Sequence, residues 1–137
     1  MRLLILLICL TVPVIANAGV RLTMGGGVYH IADREHKNEA NYLILMENRQ
    51  IMGGTFVNSR GVRSYTIAYS ARYSAGDLDF STNLGLVHGY GAGRVMQCVA
   101  GWCLYAAPSA TYWVRSRWGV TGVVFGQALV YGLTVRF

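Results

Sequence analysis

Apolar and polar residues alternate with period two along much of this chain. In the closing segment Leu129, Tyr131, Leu133, Val135 and Phe137 fall on one side, and Ala128, Val130, Gly132, Thr134 and Arg136 on the other. Strict alternation belongs to a strand, because a helix returns to the same face only every three or four residues. Tyr65, Ile67, Tyr69, Ala71 and Tyr73 repeat the pattern opposite Ser64, Thr66, Ala68, Ser70 and Arg72. Leu78, Phe80, Thr82, Leu84 and Leu86 oppose Asp79, Ser81, Asn83 and Gly85, while Tyr42, Ile44 and Met46 alternate with Asn41, Leu43, Leu45 and Glu47. The pattern reads as eight strands, at 20–30, 41–48, 51–58, 62–73, 78–90, 107–115, 118–125 and 128–137, with Gly61, Gly76 and Gly126 among the breaks between them. The connections alternate in length. Those at 31–40, 59–61, 91–106 and 126–127 belong to one end of the fold, and short turns at 49–50, 74–77 and 116–117 to the other.

The N-terminus does not follow this pattern. Arg2 precedes an apolar run from Leu3 to Ile15, which ends in Ala16, Asn17 and Ala18. A basic start, a short apolar core and a small-x-small end form a secretory signal peptide. The run is shorter than the roughly 20 residues that cross a bilayer as a helix. Cleavage after Ala18 leaves one domain, 19–137. No later stretch is long and apolar enough for a transmembrane helix.

Composition sharpens the choice among β folds. Only 13% of the residues are charged, against roughly 25% in an ordinary soluble domain. Glycine is abundant, with 17 residues, and 53% of the chain is hydrophobic. A periplasmic β-sandwich would turn the apolar faces inward and bury Arg136, Arg72 and Glu47 on the opposite faces at high cost. A small outer-membrane barrel instead turns the apolar faces to lipid, places tyrosines near strand ends and fills its narrow interior with small and polar side chains. The expected fold is therefore all-β, an eight-stranded antiparallel transmembrane β-barrel behind a cleaved signal peptide. The expected location is the outer membrane of a Gram-negative bacterium, as a monomer. The close on Phe137 resembles the terminal strand of outer-membrane barrels, where a final phenylalanine serves as an assembly signal.

Candidate chemistry gathers at the long-loop end. Cys98 and Cys103 lie in an exported chain, where two cysteines pair more often than they stay free. Neither a metal site nor a cofactor is expected. The formal charge of +6 does not point to nucleic acid in an exported barrel. Arg34, Lys37, Arg60 and Arg94 decorate the loops, either as solvated charge or as contacts to lipopolysaccharide phosphates, which suit the planar fork of arginine. His30 closes the first strand and Ser59 follows the third. A histidine and a serine at one rim form a base–hydroxyl pair if they meet. By strict alternation His30 shares the greasier side with Leu22, Met24 and Val28; a bulge within residues 25–27 would re-aim it.

The order Gly26 to His30, Asn38-Glu39, Phe56-x-Asn58-Ser59, Gly85-Leu86, Pro108 and Arg136-Phe137 resembles the lipid A palmitoyltransferase (PagP) family. That resemblance implies an eight-stranded outer-membrane barrel that moves an acyl chain from phospholipid to lipid A, with membrane lipids and lipopolysaccharide as partners. It carries the catalytic set onto His30, Asn58 and Ser59. The family's aspartate falls on Asn58, an amide that positions by hydrogen bonds and cannot act as a carboxylate. An interior hydrocarbon slot would draw on the small residues Gly53, Gly85, Gly132, Ala68 and Ala128. The alternative is a non-enzymatic barrel that binds lipopolysaccharide or masks a surface receptor through its loops. The processed protein is expected to begin at Gly19, which the intact mass of the exported chain reads; a mass retaining residues 1–18 contradicts the signal peptide.

Overall fold

The computed structural model describes residues 19–31, 40–90 and 97–137. Among them run nine strands: β1 (Val20–His30), β2 (Ala40–Asn48), β3 (Ile51–Val57), β4 (Arg63–Ala75), β5 (Leu78–His88), β6 (Cys98–Val99), β7 (Trp102–Trp113), β8 (Trp118–Phe125) and β9 (Ala128–Arg136). Eight close a barrel in the order β5, β4, β3, β2, β1, β9, β8, β7, with β7 returning to β5. Every neighbouring pair is antiparallel. Closure matters because a free strand edge exposes a row of unpaired backbone groups. Among the described residues no helix is long and apolar enough to cross a membrane, which says nothing of crossing by strands.

The strand spacing follows the period-two reading, with one displacement. The sixth barrel strand was expected from residue 107 and instead begins at Trp102, and β6 forms a short arm against it. Residues 102–106, expected in the preceding connection, lie within β7, and Pro108 lies in the strand as expected. Pro108 is tolerated there because the β7–β8 ladder ends beside it, at Ser109 opposite Val123. A residue without an N–H is accommodated where one edge of a strand carries no partner.

The two faces are separated as the alternation predicts. Ile44, Met46, Ile67, Leu84, Leu86, Leu104, Val120 and Leu133 are exposed on the outer face. Exposed aromatic rings flank them at two levels. Tyr29, Tyr42, Tyr65 and Trp102 stand near the long-loop end, and Tyr73, Phe80, Tyr112 and Trp118 near the end with the termini. From Tyr65 to Tyr73 is roughly 26 Å along a strand at about 3.3 Å per residue.

The interior is divided by height. Near the termini it is polar and paired. Arg21 Nη1 meets Asp79 Oδ2 at 2.7 Å, and Trp113 Nε1 donates to the same oxygen at 2.7 Å. The guanidinium groups of Arg21 and Arg136 lie 5.0 and 4.3 Å from the Trp113 ring centre. Arg72 pairs with Glu47. A hydroxyl chain from Thr23 through Thr134 and Thr121 to Thr111 crosses β1, β9, β8 and β7. Each charge thus has a partner, which a buried charge requires. Towards the long loops the interior turns apolar, with Leu43, Leu45, Met52, Val87 and Val130 buried.

Inward glycines allow this tight curvature. A Cβ on Gly85 would lie 2.3 Å from the Ile67 carbonyl oxygen, and one on Gly132 2.6 Å from that of Met24. Gly53, expected inside, faces outward with its cross-strand partners Met46 and Ile67. It is Gly54 that turns in, between Leu45 and Thr66. Gly85→Ala is expected to destabilise the barrel by about 1–3 kcal/mol through overpacking. Gly53→Ala, whose Cβ meets only the Thr66 carbonyl oxygen at 3.7 Å, is expected to be neutral or slightly stabilising. Denaturant midpoints of the two variants in one detergent check the contrast.

Candidate functional site

The mouth of the barrel at the long-loop end is built on a register shift in β1. Before the shift, Arg21, Thr23 and Gly25 face inward, opposite Arg136, Thr134 and Gly132. The pairing then jumps from Gly25–Gly132 to Gly27–Tyr131 and leaves Gly26 without an opposite residue. After the jump the parity is reversed. Val28 faces in opposite buried Val130, Tyr29 faces out opposite Leu129, and His30 faces in opposite Ala128. Three consecutive glycines make the bulge possible, since a Cβ on Gly27 would collide with the Tyr131 ring. The re-aiming of His30 that strict alternation denied is thus present in the backbone.

His30 Nε2 is buried and has no hydrogen-bond partner. Ile31 N donates to Gln127 O at 2.8 Å and closes the end of the β1–β9 ladder beside it. Asn41 Oδ1 is also buried and unpartnered, on a residue that shares the inward face of β2 with Leu43 and Leu45. An unsatisfied buried polar atom costs roughly 1–3 kcal/mol. Both lie toward the long-loop end of the interior, where other buried polar groups such as Thr66 and Tyr105 are paired.

Asn58 has a different role. Its side chain is 1% exposed. Nδ2 donates to Ser64 Oγ at 3.1 Å and to Gly89 O at 3.0 Å. Oδ1 accepts from Arg60 N at 2.9 Å and Val62 N at 3.1 Å. The amide therefore organises the β3–β4 turn and ties it to the end of β5. A carboxylate could accept at both backbone nitrogens but could not donate to the Gly89 carbonyl, so the amide is the residue this turn requires. Ser59 sits half-buried in the turn that Asn58 holds. His30 Nε2 makes no bond to it. The structure thus puts Asn58 and Ser59 in one turn and turns His30 into the lumen from β1, without joining His30 to Ser59.

An aromatic cluster stands at the mouth, level with His30, since Phe125 and His30 both pair with Ala128. Phe125 lies 4.9 Å from Tyr105, 5.7 Å from Tyr90 and 5.9 Å from Phe56, between ring centres. The inward parity of Phe56 with Met52, and of Tyr105 with Cys103, was available in the sequence as a signal. The tertiary meeting of the four rings was not. Thr66 and Tyr105 share a hydrogen bond of 2.6 Å through their hydroxyls. On the β8 side of β7, β6 pairs at Trp102 and Cys103 and β8 pairs from Ser109 onward. Residues 105–108 between them have no strand partner on that side among the described residues.

Cys98 and Cys103 form a disulfide. Arg60 is exposed in the β3–β4 turn. Arg34, Lys37 and Arg94 lie outside the described residues. Comparison with protein-family models, with curated proteins and with solved structures finds no match for this chain.

Tyr90, just beyond β5, carries a titratable group at the mouth. Burial pushes its hydroxyl up from 10 to about 12, with the charge of Arg60 pulling the other way. An unfolded chain loses this proton near 10, so between these values the folded state binds more protons. The Tyr90 contribution to stability is full below pH 10 and is lost as pH rises through about 12. Tyr90→Phe is expected to flatten the fall in stability over that window. Unfolding midpoints across alkaline pH measure it, and an unchanged slope contradicts the burial of the hydroxyl.

Proposed function

We propose that the protein is an outer-membrane β-barrel and that its mouth transfers an acyl chain from a phospholipid to lipid A. The outer face supports the membrane placement. Its apolar side chains, held between two levels of aromatic rings, match a lipid-facing belt with interfacial girdles. In water such a surface would far exceed the apolar patches of a soluble monomer.

The observation that carries the acyl-transfer reading is His30, turned inward by the bulge with an unpartnered Nε2 above an apolar lumen. In this reading Nε2 takes the proton from an acceptor hydroxyl as its oxygen attacks the ester carbonyl of the donor. As the ester bond breaks, the imidazolium returns the proton to the departing alcohol, and the acyl chain ends on the acceptor. Ser59 supplies a hydroxyl at the rim, and Asn58 is a positioning residue through the turn it holds. The side chains from Leu43 to Val130 offer an apolar lining to a hydrocarbon chain, which enters only as the rings packed around Phe125 move aside. The unpaired stretch of β7 beside Pro108 suits its entry from the side.

A second reading draws on the absence of a bond between His30 and Ser59 and on the aromatic cluster that fills the mouth beside them. It makes the protein a non-enzymatic barrel that acts through its loops on lipopolysaccharide or a surface receptor. Mass spectrometry of lipid A from cells making the protein separates the two. The acyl-transfer reading expects an added acyl mass that disappears with His30→Ala and falls with Ser59→Ala. No added mass, or one that survives His30→Ala, contradicts it.

A further inference from the structure

The arm formed by β6 and the start of β7 is a hairpin with two unlike faces. Cys98 pairs with Cys103 and Val99 with Trp102 across it. Successive cross-strand pairs point to opposite sides. The turn between them is Ala100 and Gly101, with φ of 51° and 81°, a conformation in which both central residues of a two-residue hairpin loop have positive φ. Such a φ is uncommon for alanine, so the turn needs support from its surroundings. The disulfide supplies it on one face, where Cys103 is fully buried against the core and its Sγ lies 3.8 Å from the Tyr90 carbonyl oxygen. That is a packing contact, since a disulfide sulfur carries no proton to donate.

The other face is turned outward. Val99 is 80% exposed and Trp102 42%. Trp102 pairs across the sheet with His88, and their rings lie 5.1 Å apart. His88 pairs in turn with exposed Tyr65. The result is an unbroken row, Val99, Trp102, His88 and Tyr65, across four adjacent strands at the rim. Residues 97–104 contain no charged side chain, unlike a hairpin tip that stands in water.

We infer that this disulfide-stapled hairpin is a lipid-interface anchor, its Val99 and Trp102 seated at the headgroup boundary of the bilayer. The inference rests on the outer-membrane reading. Its occupant follows from continuity with the aromatic level of the barrel wall and from the chemistry of the row. Trp and Tyr settle where one side of the ring is apolar and the other wet. The disulfide, on the inward face, fixes which side of the arm meets lipid.

The test uses the full chain refolded into phosphatidylcholine vesicles whose acyl chains are brominated near the headgroup or deep in the bilayer. The contribution of Trp102 is the difference between the native protein and Trp102→Phe. That of Trp118, exposed on the barrel wall at the opposite end, is obtained in the same way from Trp118→Phe. Trp102 emission is expected to be quenched more by the shallow bromines than by the deep ones. Reduction of the disulfide should shift it to the red and remove most of that quenching. Val99→Asp, which keeps the disulfide, should weaken the quenching without altering that of Trp118. If Trp118 is quenched and Trp102 is not, the hairpin stands in water; the inference falls and the membrane barrel remains. If neither is quenched, both fall. Quenching of Trp102 that persists unchanged after reduction overturns the role given to the disulfide.

Discussion

A closed eight-stranded sheet has an interior too narrow for water to fill, and every other feature of this protein answers to that limit. Each strand sends half of its residues inward. These residues must be small, paired or packed. Near the termini the solution is pairing, with Asp79 accepting from both Arg21 and Trp113 and with the guanidinium groups of Arg21 and Arg136 over that indole. Nearer the long loops the solution is apolar packing around Phe125. At Gly54, Gly85 and Gly132 the inner wall has no room even for a methyl group.

His30 departs from this economy, as do Asn41 and Ser70, whose Oδ1 and Oγ are also buried without partners. The bulge at Gly26 spends one residue to reverse the parity of the end of β1, and the reversal puts an imidazole nitrogen inside without a partner. A structural histidine on the outer face would have required no bulge. A buried one serving only to fill space would be better replaced by an apolar side chain, given the cost of the unmet nitrogen. The backbone thus goes out of its way to present this atom to the lumen, and for that reason the proposed chemistry is centred on it.

Much of the fold was legible in the sequence because a strand period of two is a strong signal when one face is apolar throughout. Tyr65 to Tyr73 and Leu78 to Leu86 announced their strands residue by residue. The start of β7, Trp102 to Ala106, was not legible, because it follows a cysteine-bearing loop directly and its strand is set by pairing with His88 to Leu84, a tertiary fact. Gly53 and Gly54 could not be assigned to faces, since glycine has no side chain to mark one. The site was legible in part. Three glycines before a histidine suggested a bulge, and the register contains it. The work of Asn58 was hidden, because its side chain bonds to Arg60 and Val62 in its own turn, to Ser64 in β4 and to Gly89, 31 residues away. The pairing of Cys98 with Cys103 followed from their closeness and number, whereas the outward turn of Val99 and Trp102 emerged only from the hairpin.

The central claim is that the alternating apolar face meets lipid and not water. It is tested most directly by nuclear cross-relaxation in the refolded protein, between side-chain methyl groups and their solvent. The methyls of Ile67, Leu84 and Leu133, all exposed on the outer face, are predicted to exchange magnetisation with the methylene protons of lipid acyl chains. Cross-relaxation with water at those three methyls, and none with lipid, would contradict the account.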